Sequence, residues 1–358
     1  MPRTLVLTDP RFSAKERLSW FDRQAMRIIR DPRDLPFVHL SMQITFVQIP
    51  CAIALFLPGV FRWWTALLYV AMTFAVFFDR YILMLHNTSH RKLFQKPHSW
   101  LGFYIPWVLG PFNGQTPGTY FAHHIGMHHA EENLLDDLST TMPFQRDRFG
   151  HFLRYWGRFF LFGPIELPIY HGKKGKQHYV RMTIVGELAF YAWVVALGAL
   201  AGWAPTLTVF VVPVVLARFL MMAGNWAQHA FIDPADPANP YLNSIVTINC
   251  RYNRRCYNDG YHIGHHESAG RHWTDMPGDF EAKRERYIAH DAIVFEGVDY
   301  FMIWLMLMTK QYGALANRFV DLRDTPREKS EIIALMQRRL KPIAVAEPVA
   351  HAATAAEA

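Results

Sequence analysis

Residues Trp63 to His90 read WWTALLYVAMTFAVFFDRYILMLHNTSH. The run opens on uncharged apolar residues, meets Asp79-Arg80 late, and ends on His-x3-His. As a single helix its 28 residues extend about 42 Å, some 10 Å more than the roughly 30 Å of bilayer hydrocarbon. Such a helix crosses a membrane and carries its last turns, with two imidazoles one turn apart, out into the aqueous phase.

Three further segments have the length and apolarity of membrane spans, at about 37–60, 182–203 and 205–224, with this one spanning about 63–85. They form two hairpins. The short turns at 58–62 and 201–205 together carry one basic residue, Arg62. By the bias of Lys and Arg toward cytoplasmic loops, these turns face outward. The expected architecture is therefore an all-α, multi-pass integral membrane protein: four transmembrane helices in two hairpins, with a cytoplasmic helical cap holding a metal site. Residues 1–36 form a cytoplasmic N-terminal segment, with eight basic and five acidic residues and no pattern of a cleavable signal. The membrane domain covers 37–341, its cap built from 87–181 and 225–341, so the N-terminus, C-terminus and metal site are cytoplasmic. The Ala-rich 342–358 reads as a disordered tail. Two shorter apolar stretches, 100–112 and 155–170, are broken by Pro or Gly and read as interfacial or re-entrant. The stretch 292–308 contains Glu296 and Asp299, so it is expected to pack on the inner face without crossing.

Composition agrees with segregated apolar and polar parts: 51% hydrophobic, 15% aromatic and only 19% charged, yet a mean hydropathy of +0.01 over the chain. This excludes disordered, collagen-like and disulfide-knotted proteins. Three cysteines are too few for a disulfide framework, and their spacing fits no zinc module. A net charge of +7 fits a cytoplasmic positive flank, so nucleic acid is not an expected partner. The unusual number is 18 histidines.

Half of them are grouped. His86 and His90 close the second span; His124, His128 and His129 lie in the long inner loop; His262, His265 and His266 follow the fourth span; His229 ends that span four residues after Asn225. Residues three or four apart share a helix face, so each group presents its imidazoles in one direction, as a metal requires. A helix from Pro205 to His229 extends about 37 Å, so Asn225 and His229 emerge at the depth of His86 and His90. Asp79 and Arg218 each stand seven residues before one of these pairs and mark either the membrane boundary or an outer ion pair. The other histidines (His39, His98, His123, His151, His171, His178, His272, His290 and His351) are scattered and read as surface or interfacial. His123 adjoins a group, but His124 has the better spacing.

Eight or nine imidazoles exceed what one metal uses, so the count implies two metals. Imidazole serves iron, zinc and copper alike. Attack on an unreactive C–H bond requires a redox metal with open positions, which favours iron.

The groups H-x3-H, H-x3-HH and H-x2-HH, in this order around two hairpins, resemble the three histidine boxes of the integral-membrane fatty acid desaturase and hydroxylase superfamily. The run Asn258-Asp-Gly-Tyr-His-Ile-Gly-His-His266 is similar to the third box with its usual lead-in, and the resemblance covers about 37–273. Asn225 and His229 resemble an extra ligand motif of acyl-CoA desaturases, in which the Asn acts through a water and the His binds metal. The first box departs from animal acyl-CoA desaturases by having three intervening residues in place of four, so that subgroup's substrate does not carry over.

The resemblance implies two iron ions in a diiron centre held by the nine grouped histidines and, through water, Asn225. It implies O2 as co-substrate, two external electrons, and formation of a double bond in a fatty acyl chain presented as an acyl-lipid or acyl-thioester. Carboxylates that orient the imidazoles are sought among Glu131, Asp136, Asp137, Asp259 and Glu267. The chain has no His-Pro-Gly-Gly of a fused cytochrome domain, so the electron donor is a separate ferredoxin or cytochrome. The basic run 171–178 reads as a positive membrane flank, or as a contact for a lipid phosphate, a CoA phosphate or an acidic donor. A hydroxylase or ketolase of the same superfamily, acting on a fatty or carotenoid chain, shares every one of these features. A metal-binding membrane protein without redox turnover fits less well, because no His-Glu-x-x-His is present and the ligands are not at mid-bilayer.

Overall fold

Hydropathy sorts this chain into long apolar helices and polar connections, and the computed structural model, which describes residues 5–14 and 17–343, follows that division. A short helix α1 (Trp20–Met26) begins at a capping box in which Ser19 and Asp22 satisfy each other's backbone N–H groups. Four helices long and apolar enough to cross a membrane follow: α2 (Pro32–Ala54), α3 (Trp63–His90), α6 (Gln177–Ala201) and α7 (Trp203–Gln228). Between the hairpins lie a broken helix α4 (119–131) and a long helix α5 (Phe149–Lys173). The segment after α7, the head, carries further short helices and two strands.

The first span starts and ends earlier than hydropathy places it. Asp31 caps it by accepting from Arg33 N–H, Pro32 occupies the first helical position, and the 310 turn that results runs straight into the helix. The helix stops at Ala54, and residues 55–62 turn through Gly59 at positive φ. The second hairpin turns more tightly, at Gly202 with φ 110°. Large apolar side chains such as Phe46, Leu67, Leu188 and Val195 are exposed along the outer faces, as in helices that meet lipid. The chain is an integral membrane protein.

All four long helices deliver the same end to the site. His86, His90 and His229 lie at or just past the C-terminal ends of α3 and α7. The N-terminal end of α2 is tied there by Asp34 to His272, and that of α6 by Lys176 to Gly126 O. The loop 113–118 is wedged between α6 and α7 at close backbone range. A Cβ on Gly186 would stand 1.6 Å from Pro117 O, and one on Gly114 2.2 Å from Pro213 O.

Two features of the head depart from an all-helical expectation. Strands β1 (Ile245–Ile248) and β2 (Ile293–Glu296) pair in parallel, bracketing the third histidine group, which rides on the short helix α8 (His262–Glu267). The stretch 292–308 is divided between β2 and helix α9 (Tyr300–Met308), whose nine residues are too few to cross a bilayer. Helix α9 packs on α7, with Phe152, Trp226, Trp304, Leu335 and Met336 in one core that reaches the last helix, α10 (Lys329–Arg339). Arg146, fully buried, donates to the carbonyls of Thr141, Met142, Ala230, Arg339 and Lys341 and so ties the 139–146 loop to the C-terminal segment. Of the expected tail, Pro342 and Ile343 are ordered against Met142, and 344–358, with His351, lie outside the described residues.

Candidate metal centre

The nine grouped histidines come together in two adjacent sets. His86, His90, His124, His129 and His265 form one; His128, His229, His262 and His266 form the other, the ligand nitrogens of each lying within 4.8 Å of one another. The first box stays whole, but the second and third are each divided between the sets, contrary to the expectation that every group points one way. In the second box the His129 N–H bonds to His124 O, five residues back, so the helix is locally wider than an α-helix. This wider turn brings the rings of His124 and His129 to 4.6 Å and turns His128 to the other set. In α8 the i,i+4 pair His262 and His266 share one set, and His265 faces the other.

The donor geometry fits metal ions. Within the first set the Nε2 atoms of His86 and His265, of His90 and His124, and of His129 and His265 are 2.9 Å apart. In the second, His262 Nε2 is 3.2 Å from that of His229 and 3.1 Å from that of His266. Two metal–imidazole bonds of about 2.1 Å separate their nitrogens by about 3.0 Å at a right angle and about 3.4 Å at the tetrahedral angle. The spacing and the five donors of the first set therefore suit an octahedral-type ion better than structural zinc.

Six of the imidazoles are also pushed toward the neutral form that a metal needs. Burial, reinforced by repulsion between neighbouring imidazoles, pushes His124, His129, His262, His265 and His266 below the ordinary histidine value, and His229 to about 3. Neutral rings leave a lone pair for a metal. On the far side of three rings an acceptor fixes the tautomer. His128 Nδ1 faces Asp137 Oδ2 at 2.8 Å, His86 Nδ1 faces Asp259 Oδ1 at 3.2 Å, and His229 Nδ1 faces the carbonyl of Asn243 at 2.9 Å. With Nδ1–H donating outward, Nε2 points its lone pair inward. Burial raises the Asp137 carboxyl, but His128 and the Ser139 hydrogen bonds outweigh it and hold it at about 2.

Three of the five carboxylates sought as imidazole partners are used otherwise. Glu131 accepts from Tyr170 and pairs with Lys174, which also holds Asp136; Glu267 binds Lys283, Arg286 and Tyr241. They brace the α4 and α8 surroundings. The basic run 171–178 does likewise, through Lys174, Lys176 and His171, whose Nε2 meets Ala122 O. Asn225 donates from Nδ2 to Tyr155 Oη at 2.6 Å and Ser139 O at 3.2 Å, which sets its carboxamide on the rim of the cavity below the second set. Asp79 and Arg218 do not pair with each other: Asp79 holds Arg255, and Arg218 holds Glu187. A third cluster, Asp31, Asp34 and His272, has Arg33 and Arg91 on Asp31 and serves as a clip between α2 and the head.

Beneath the imidazoles runs a cavity of 330 Å³. Phe74, Phe78, Ile82, Leu83, Leu220 and Met222 give it apolar walls, and His86, His124, His128, His262 and Asn225 form part of its lining. Its size is that of a small-molecule site. Sequence reasoning missed Asn243, whose contribution is a backbone carbonyl and has no side-chain signature. It also missed Glu187, a carboxylate in the middle of the third span, where an ionisable residue is itself a signal.

Compared with protein families, the chain matches the family described as fatty acid desaturase over residues 61–298, more than half its length. No curated protein and no solved structure matches it.

Proposed function

The chain belongs to the fatty acid desaturase family, and from this premise we propose that it is an O2-dependent diiron desaturase that introduces a double bond into a fatty acyl chain. The observation that carries this reading is the division of nine imidazoles into two adjacent sets above an apolar cavity. Bound iron would supply the redox couple, by which O2 takes two electrons from a donor protein with two protons from water, and two electrons with two hydrogens from the acyl chain, and leaves as two waters.

The chain's own residues do the remaining work. Five histidines would hold one iron and four the other, with Asn225 placed to reach the second through a water. Asp137, Asp259 and the Asn243 carbonyl keep the Nδ1 protons of His128, His86 and His229 and thereby fix the aim of each ring. Phe74, Phe78, Ile82 and Leu83 align the chain and exclude bulk water. Asp259 also accepts from Tyr252 at 2.8 Å, which anchors it at the cavity wall. Electrons arrive from a separate ferredoxin or cytochrome, and the metal centre and both termini lie on the cytoplasmic side.

Protein purified from iron-replete cells carries about two irons per chain. His128→Ala and His265→Ala abolish activity without preventing membrane insertion, and His124→Ala loses iron whereas His123→Ala retains it. Mass spectrometry of lipids from a host expressing the protein with a compatible donor gives products lighter by two hydrogens. A product heavier by one oxygen would make the enzyme a hydroxylase, and full activity with a single zinc would sink the reading altogether.

A further inference from the structure

A second, smaller chamber of 40 Å³ adjoins the metal-centre cavity, and the two share Tyr120, His123, Phe159 and Met221 as a common wall. Its lining is mostly apolar but includes Gln115, Thr116, Thr119, Arg218 and Glu166, the last paired with Arg158. Behind it, Glu187 Oε1 accepts from Thr116 Oγ1 at 2.6 Å, Thr119 Oγ1 at 2.8 Å and Arg218 Nη2 at 3.3 Å. Arginine has five N–H donors; the bonds to Glu187 use Nη2 and Tyr191 takes one more, so donors remain for the chamber that Arg218 lines. In the shared wall, His123 Nε2 is buried and has no hydrogen-bond partner. A buried charge pair costs more to form than an apolar packing of the same shape, and is better accounted for where it serves a ligand.

We propose that this chamber binds a neutral oxygen substituent of the substrate, a hydroxyl or a carbonyl, through Arg218. Charge selects neutrality, because Glu187 already balances the guanidinium and would repel a carboxylate. Size selects a small group: the volume exceeds the 10–15 Å³ or so that one water needs but admits little more than an oxygen and its carbon. Helix geometry gives the distance. Arg218 and Asn225 lie on one face of α7, seven residues or about 10 Å apart, and an extended chain advances about 1.2 Å per bond. The oxygen-bearing carbon therefore lies several bonds from the C–H that faces the metal centre. The inference rests on the reading that the larger cavity takes an alkyl chain.

The test is equilibrium retention of radiolabelled hexadecane, hexadecan-1-ol and methyl hexadecanoate by the full-length protein in nanodiscs, which requires no turnover. Wild type holds the alcohol or the ester about tenfold more tightly than the alkane, as a hydrogen bond to a charged donor does. The oxygenated probe that gains more tells hydroxyl from carbonyl. The double variant Arg218→Met, Glu187→Gln removes both charges together, keeps an oxygen for Thr116 and Thr119, and brings all three probes to the alkane's affinity. Arg218→Lys, which preserves the ion pair, lowers the preference several-fold and guards against a misfolded double variant. Equal retention of the three probes by wild type, or a preference that survives in the double variant, overturns the proposal while leaving the desaturase reading intact. Failure to retain even hexadecane overturns the alkyl-chain reading and this inference with it.

Discussion

At the scale of the residue, the spacing of the histidines was enough to single out the nine that the fold brings together, because H-x2-H and H-x3-H are local patterns that a helix turns to one side. Their division between two sets was not legible. It depends on the i→i+5 turn at His124–His128, which nothing in the residue types announces, and on His265 facing away from its neighbours. Among the carboxylates, Asp137 and Asp259 cannot be told from Asp136 or Glu267 by sequence, because a loop carboxylate finds its partner only when the loop is folded. Asp137 offers the sharpest test. Asp137→Asn keeps the shape but can no longer hold the His128 tautomer by charge, so the affinity for a bound metal should fall about 10- to 100-fold. Metal analysis after dialysis against a graded chelator measures this, and an unchanged chelation midpoint would count against an orienting role.

Helices and loops show what hydropathy reads well and what it misses. Spans α3, α6 and α7 were legible to within a few residues, since apolar length is a property of the segment alone. The beginning of α2 was not, because its first turn is polar and is set by the Asp31 cap. The parallel pairing of 245–248 with 293–296 was not legible either: it joins residues far apart in the chain, and both strands are short apolar runs that could equally be helix. The wedge 113–118 depends on close backbone approach. Gly186→Ala places a methyl against Pro117 O, where neither backbone can yield, and overpacking of this kind costs about 1–3 kcal/mol or more. Thermal unfolding in detergent should show a lowered transition, and a variant melting with wild type would show that the wedge is loosely seated.

For the molecule as a whole, the head's C-terminal third is fastened by carboxylates whose ordinary acidity is altered. Burial would raise Asp147, Asp233 and Asp321, but their bonds to Lys310 and Tyr312, to Ala235 and Arg339, and to Arg323 and Arg327 hold them below the usual carboxylate range. Groups whose folded acidity is depressed in this way stabilise fully above the unfolded value of about 3.9 and lose that contribution as pH falls through the folded one. Below about pH 4 the segment around α10 should therefore loosen before the membrane helices do. Peptic digestion across pH 5 to 2.5 reads this directly, through early cleavage in 300–340; protection there that persists to the lowest pH would contradict it.

The strand pair has one more implication, for biogenesis. The ligands of each set come from residues as distant as His86 and His265 or His128 and His266, and the last histidine group is pinned by a pairing whose second strand ends at Glu296. A nascent chain that has not yet released that residue from the ribosome has both membrane hairpins in place and neither cage closed. Closure of both histidine sets is then a late event of synthesis, and truncation anywhere before 296 should yield an inserted protein with neither set complete.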